Sequence, residues 1–231
     1  MIEFIKNLYY MVPTVSYCEQ PTGGLIERPF YAISNIAFLI VGFLILSRGS
    51  FSRMRQLPAD KKTPLSKAFG YSMIAVGLFS FVYDATYSYL FQLLDVAGMY
   101  IFITLVMYLN TQRLGLNLHK AWRWATLALG MIIFYFFKGE IGNVIFGLFI
   151  LFVIISEWMI KEKISRKDWI TGIVLFALGF GIWMFDATKL LCDPNNIFNG
   201  RGIFHLLEAA AVYYFYKHYL KLEKIYSKVN T

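Results

Sequence analysis

Long apolar runs, each about long enough to cross a bilayer, recur along this chain with only short polar stretches between them. A hydrocarbon core about 30 Å thick takes about 20 helical residues at a rise of about 1.5 Å per residue. The runs place spans near Phe30–Ser47, Ala68–Tyr89, Leu93–Leu109, Trp122–Phe137, Asn143–Ile160, Trp169–Leu191 and Ile203–Leu220. Seven such spans use about 140 positions and leave only short loops. The fold class expected is therefore an all-α integral membrane protein, a seven-transmembrane helix bundle forming one domain. Its parts are an N-terminal segment over 1–28, the bundle over 29–220 and a tail over 221–231. Spans two and three are separated only by the polar patch from Ser88 to Gln92, which demands a tight turn. The alternative is an even count, with one run half-inserted.

Composition agrees. Hydrophobic residues make up 58% and charged residues 16%, against about 45–50% and about 25% in soluble domains. That excess excludes disorder, and six prolines and two cysteines exclude collagen-like, low-complexity and disulfide-mesh chains. Residues 1–28 lack the continuous apolar stretch and small-residue cleavage site of a signal peptide. Ile2, Ile5, Leu8, Tyr9 and Val12 recur at helical spacing. They predict a short amphipathic helix, lying on the membrane surface or packed on the end of the bundle.

The net charge of +8 is informative through its placement. Of the 22 Lys and Arg residues, only Lys6, Arg28, Lys138, Lys189 and Arg201 fall on the side of the N-terminus. The other side includes Arg48, Arg53, Arg55, Lys61, Lys62 and Lys67 in the first loop. The positive-inside rule puts the N-terminus outside and the C-terminus in the cytosol. The basic balance thus reads as topology and contact with anionic lipid, with no nucleic-acid partner. Both cysteines, Cys18 and Cys192, fall on the non-cytosolic side, where a disulfide is permitted. They form either a bridge or two unpaired thiols.

Ionisable groups within spans cost several kcal/mol and mark functional candidates. Here they are Asp84, Asp95, Asp186, His205 and Glu208, with Arg201 just before span seven, all toward the outer ends of their spans. Ser80 and Asp84 share a face of span two, and Arg201, His205 and Glu208 share a face of span seven. Such a cluster of Asp, Arg and His reads as a site. Blander readings stand beside it. Asp186 can cap or pair within the bundle, and Glu208 can bond across helices. Ser34 and Asn35 can join helices, and Glu157 and Trp158 can anchor the cytosolic rim. His119 and His218, in or beside cytosolic loops, have no assigned role. Span seven has no lysine near mid-membrane to hold retinal, which argues against a light-driven pump. No convincing internal repeat points to a transporter.

Several of these residues stand in a recognisable order. Tyr17-Cys18-Glu19 is followed by Pro29 and Ser34-Asn35. Span two carries Ser80 and Asp84-Ala85-Thr86, with Asp95 beyond. Trp183-x-x-Asp186 precedes Cys192, and then comes Gly200-Arg201-x-x-x-His205. This arrangement, from residue 17 to residue 205, resembles the alkaline ceramidase family, including its bacterial ceramidase-like branch. The resemblance implies a seven-helix, zinc-dependent lipid amidase acting on ceramide-like or other long-chain amides. In that family three histidines hold zinc, and a serine and an aspartate complete the site. A luminal cysteine pair is a further family feature. A zinc ion with an open position lowers the pKa of its water toward about 7 and polarises the amide carbonyl. A carboxylate can take the proton and a hydroxyl can steady the oxyanion.

The sequence departs from the family at its centre. Asp84 and Arg201 replace two of the three histidines, and His205 is the third. Ser80 and Asp95 are retained, so Ser80, Asp95 and His205 are the catalytic candidates. Arg28 stands where an acidic residue is expected, with Glu27 adjacent, and Tyr31 stands where an asparagine is expected. The calcium site of the animal enzymes is depleted, with Ser16, Tyr17 and Pro21 at its positions and Glu19 remaining. Three readings of the site follow. The Arg201 guanidinium takes the metal's place and bridges Asp84, with Asp95 as a further partner. Alternatively, Asp84 and His205 hold zinc, with Asp95 or Glu208 as a third ligand. Or His205, Asp84 and Asp95 perform metal-free acid–base chemistry. The function expected is that of a ceramidase-like membrane protein, either a hydrolase or a non-catalytic lipid-binding or scaffold protein.

Overall fold

The structure, a computed structural model, describes residues 2–51, 64–116, 119, 121–137, 140–160, 166–190, 192–193 and 199–229. The described residues form helices α1 (Ile2–Tyr10), α2 (Pro29–Ser34), α3 (Ile36–Phe51), α4 (Pro64–Thr86), α5 (Tyr89–Arg113), α6 (Ala121–Phe137), α7 (Glu140–Met159), α8 (Lys167–Ala187) and α9 (Gly200–Val229). Among them there is no strand. Pro29–Ser47, Leu65–Thr86, Tyr89–Arg113 and Lys167–Ala187 are long and apolar enough to cross a membrane. Shorter apolar stretches lie at Trp124–Ile133 and Val144–Met159. Basic residues Arg53, Arg55, Lys61, Lys62 and Lys138 lie outside the described residues.

Most helix ends lie a few residues from those read in the sequence, and three differences bear on the fold. The first span breaks at Asn35, where the N–H bonds back to the Ala32 carbonyl at 3.2 Å before α3 begins. The turn between α4 and α5 is Tyr87–Ser88, with Tyr87 at φ 45°, so Gln92 lies within α5. Finally, α9 continues past Leu220 to Val229. Contacts divide the chain into two compact units, residues 1–15 with 87–163 and residues 16–86 with 164–231.

In the first unit α1 packs on α5. Leu8 is buried, while Ile5, Tyr9 and Val12 are exposed. The Met11 carbonyl accepts the Tyr89 N–H at 3.0 Å, satisfying one of the donors that a helix start leaves open. Tyr100 packs edge-on against Phe146 and Phe149, and Gly130 leaves the room for its ring. Near the other end of α5, Asn110 donates to Ser156 Oγ at 2.8 Å. Arg113 forks onto both oxygens of Glu157. The Glu157 side chain is buried on this arginine, while the neighbouring Trp158 is exposed.

The second unit holds two close helix pairs, α3 with α4 and α8 with α9. Small residues let the backbones approach where lipid provides no hydrophobic drive. A Cβ on Gly42 would lie 2.9 Å from the Gly70 carbonyl, and one on Gly172 would lie 2.5 Å from the Phe215 ring. Toward the end of α9, Lys217 and Lys221 both pair with Asp168 of α8. His218, expected beside a loop, lies buried in α9 against the Trp169 and Tyr219 rings.

Gly42→Ala should destabilise by about 1–3 kcal/mol through overpacking. Gly147→Ala, where a Cβ meets nothing within 4 Å, should be neutral or stabilising by up to about 1 kcal/mol. Unfolding in mixed micelles measures both, and equal losses would refute the close α3–α4 contact.

Candidate functional site

The site lies in the second unit, and the arm before α2 builds it. Helix α4 ends at Thr86, so its last carbonyls have no partners within the helix. The arm supplies them: Arg28 N–H bonds to the Asp84 carbonyl at 3.1 Å, and Glu27 N–H to the Ala85 carbonyl at 3.0 Å. The same contact lays the Arg28 side chain over the Asp84 carboxylate. Arg28 Nη2 donates to Asp84 Oδ1 at 2.6 Å, and both side chains are fully buried. The Arg201 guanidinium approaches the same oxygen at 3.6 Å. Asn35 Nδ2 donates to Asp84 Oδ2 at 2.9 Å. Asp84 thus receives two guanidiniums and an amide.

Three tyrosine rings wall the guanidiniums. Arg201 Cζ lies 4.1 Å from the Tyr17 ring centroid, and Arg28 Cζ lies 4.7 Å from that of Tyr83. Tyr31 lies within 5.7 Å of both. A guanidinium is delocalised and weakly hydrated, which suits it to a buried place against aromatic faces.

Asp186, near the end of α8, organises the surroundings. Its Oδ1 accepts the Cys18 N–H at 3.0 Å and its Oδ2 accepts the Arg201 N–H at 2.8 Å. The Tyr31 hydroxyl lies within 2.9 Å of both oxygens. Asp186 therefore caps the first turn of α9. Gly200 makes this approach feasible, since a Cβ there would sit 2.9 Å from Asp186 Cβ. Cys18 is joined to Cys192 in a disulfide, so the arm is tied covalently beyond α8 as well. Glu19 caps α2, accepting the Phe30 N–H at 2.9 Å and the Tyr31 N–H at 2.8 Å. Pro29 leads that helix and has no N–H to satisfy. Burial pushes the Glu19 carboxyl above its ordinary range, against the pull of these two bonds.

His205 lies one turn after Arg201 and is buried. Its Nδ1 is 2.8 Å from Ser34 Oγ, which donates to the Tyr31 carbonyl at 2.7 Å. With the hydroxyl proton used there, Nδ1 carries the hydrogen and Nε2 is the ring's acceptor. Ser80 is buried one turn before Asp84 in α4. Asp95 is buried on α5 in the other unit, and Glu208 is half-buried on α9. The structure thus joins Asp84, Arg201, Asp186, Ser34 and Asn35 in one network, with His205 bonded to it through Ser34. Sequence reasoning missed Arg28 as the nearer partner of Asp84, and it missed the tyrosine wall. The signal for Arg28 was its departure from the acidic residue expected there.

A family model described as Ceramidase matches residues 14–230, nearly the whole chain. The chain belongs to the ceramidase family. Comparison with curated proteins gives no match.

Zinc in this family calls for uncharged or anionic donors converging on one point. In this ceramidase-family chain Asp84, at one of the positions concerned, is engaged by two permanent cations. No three His, Cys, Asp or Glu side chains among the described residues come together to hold a metal ion. The donor set does not fit zinc.

Asp186→Asn keeps the shape but puts an amide donor among three donors. It should cost about 1–3 kcal/mol for each donor left unsatisfied and speed hydrogen exchange at the start of α9. Unchanged exchange at Arg201 would show that Asp186 does not hold this turn.

Proposed function

We propose that this protein is a seven-span membrane protein of the ceramidase family that binds a long-chain lipid without zinc-dependent amide hydrolysis. The contact that carries the reading is Arg28 Nη2 on Asp84 Oδ1 at 2.6 Å, with Arg201 beside it. It puts a cation on the residue that replaces a zinc-binding histidine. Four membrane-length apolar helices support residence in a bilayer. The shorter apolar helices α6 and α7 and the 30-residue α9 supply the remaining spans of the seven-helix reading. Charge placement supports an N-terminus on the non-cytosolic side and a C-terminus in the cytosol. A ceramide or another lipid amide would enter from the bilayer and present its polar headgroup to the Arg–Asp–His network.

The alternative reading is a hydrolase, favoured by the retention of Ser80, Asp95 and His205. In it Asp84 and His205 would be zinc ligands, and both guanidiniums would have to leave Asp84.

Elemental analysis of the full chain, purified in detergent with zinc supplied throughout, separates the two. Zinc near background is expected, with no ceramide turnover. About one zinc per chain, lost on His205→Ala, would establish the hydrolase instead.

A further inference from the structure

We infer that Arg28, Asp84 and Arg201 form an ion cluster standing in for a divalent cation, with Arg28 as its principal member. This rests on the zinc-free reading above. The two guanidiniums bring two positive charges, as a divalent ion would, and the carboxylate binds both. They come from separate parts of the fold, the arm before α2 and the first turn of α9, while Asp84 comes from the end of α4. The cluster therefore joins three segments through one point, as a metal ion joins its ligands.

Arg28 is the principal member on two grounds. Its distance to Asp84 is 2.6 Å, against 3.6 Å for Arg201. Its backbone N–H is bonded to the carbonyl of the same residue, so main chain and side chain grip Asp84 together. Like the Arg201 guanidinium, that of Arg28 is buried against a tyrosine ring. A buried cation whose main chain is fixed to its partner is held beside residue 84. It consequently stays in place when Arg201 is removed, and it opposes any dication near residue 84. Changing Asp84 and Arg201 to histidine would add ligands but leave this guanidinium among them.

The test is zinc stoichiometry after gel filtration of full-length variants, with an oxidised disulfide and a monodisperse profile as evidence of folding. The Asp84→His/Arg201→His double variant should stay near background. Adding Arg28→Gln should bring zinc to about one per chain, and His205→Ala should abolish it. Zinc bound equally by the double and triple variants would overturn the role of Arg28 and leave the zinc-free reading standing. A folded triple variant without zinc would overturn the idea that the guanidiniums exclude the metal. Zinc in the native chain would overturn the reading beneath it and this inference with it. Should the triple variant fail to fold, the native cluster is tested by Arg28→Gln and Asp84→Asn. The double should lower the thermal midpoint by less than the sum of the single losses, and additive losses would overturn the inference.

Discussion

A carboxylate in a low-dielectric interior needs cations or hydrogen-bond donors against it. Asp84, fully buried near the end of α4, meets this demand with the Arg28 guanidinium at 2.6 Å. The geometry of the second unit follows from that contact. The arm must run close under α4 to deliver Arg28, and in doing so its N–H groups reach the open carbonyls of Asp84 and Ala85. Once the arm is there, Cys18 N–H meets Asp186, and the Asp186 carboxylate caps α9 through Arg201 N–H. The disulfide to Cys192 closes a sequence separation of 174 residues, restricting the unfolded chain most where the arm must return. Backbone capping, ion pairing and covalent linkage therefore all act on the same short segment.

Losing one member of such a buried pair costs about 3–5 kcal/mol, whereas replacing the whole set by apolar groups is often neutral. Asp84 alone would bury an unmatched anion, and Arg201 or Arg28 alone would bury an unmatched cation. The three residues are tolerable together and costly apart. The first unit shows the same logic, with Arg113 on Glu157 and Asn110 on Ser156. There, too, charged and polar groups enter an apolar helix paired with one another.

Most of the helices were legible because long apolar runs carry their own length signal. The approach of Asp84 and Arg201 was legible as well, since a charge gained at one replaced position and its opposite at another invite pairing. Arg28 was harder. A basic residue before Pro29 at the mouth of an apolar run reads as a cation held at the membrane rim. Its inward turn depends on two free carbonyls, of Asp84 and Ala85, far along the chain, which no local pattern displays. His218 was misplaced for a related reason. A helix that continues past its apolar window carries polar residues inward with it, and hydropathy marks only where the window stops.

Retention of His205 has a physical explanation that does not require catalysis. His205 Nδ1 is bonded to Ser34, which is bonded to the Tyr31 carbonyl that also accepts Asn35 Nδ2. Asn35 in turn reaches Asp84. The surviving histidine is thus an integral part of the network that fixes the break between α2 and α3. Removing it would leave the Ser34 hydroxyl buried with one bond fewer and loosen the turn that positions Asn35. A motif residue can in this way be held by packing and hydrogen bonding alone. Its presence in a motif is therefore weaker evidence for chemistry than the charges that surround it.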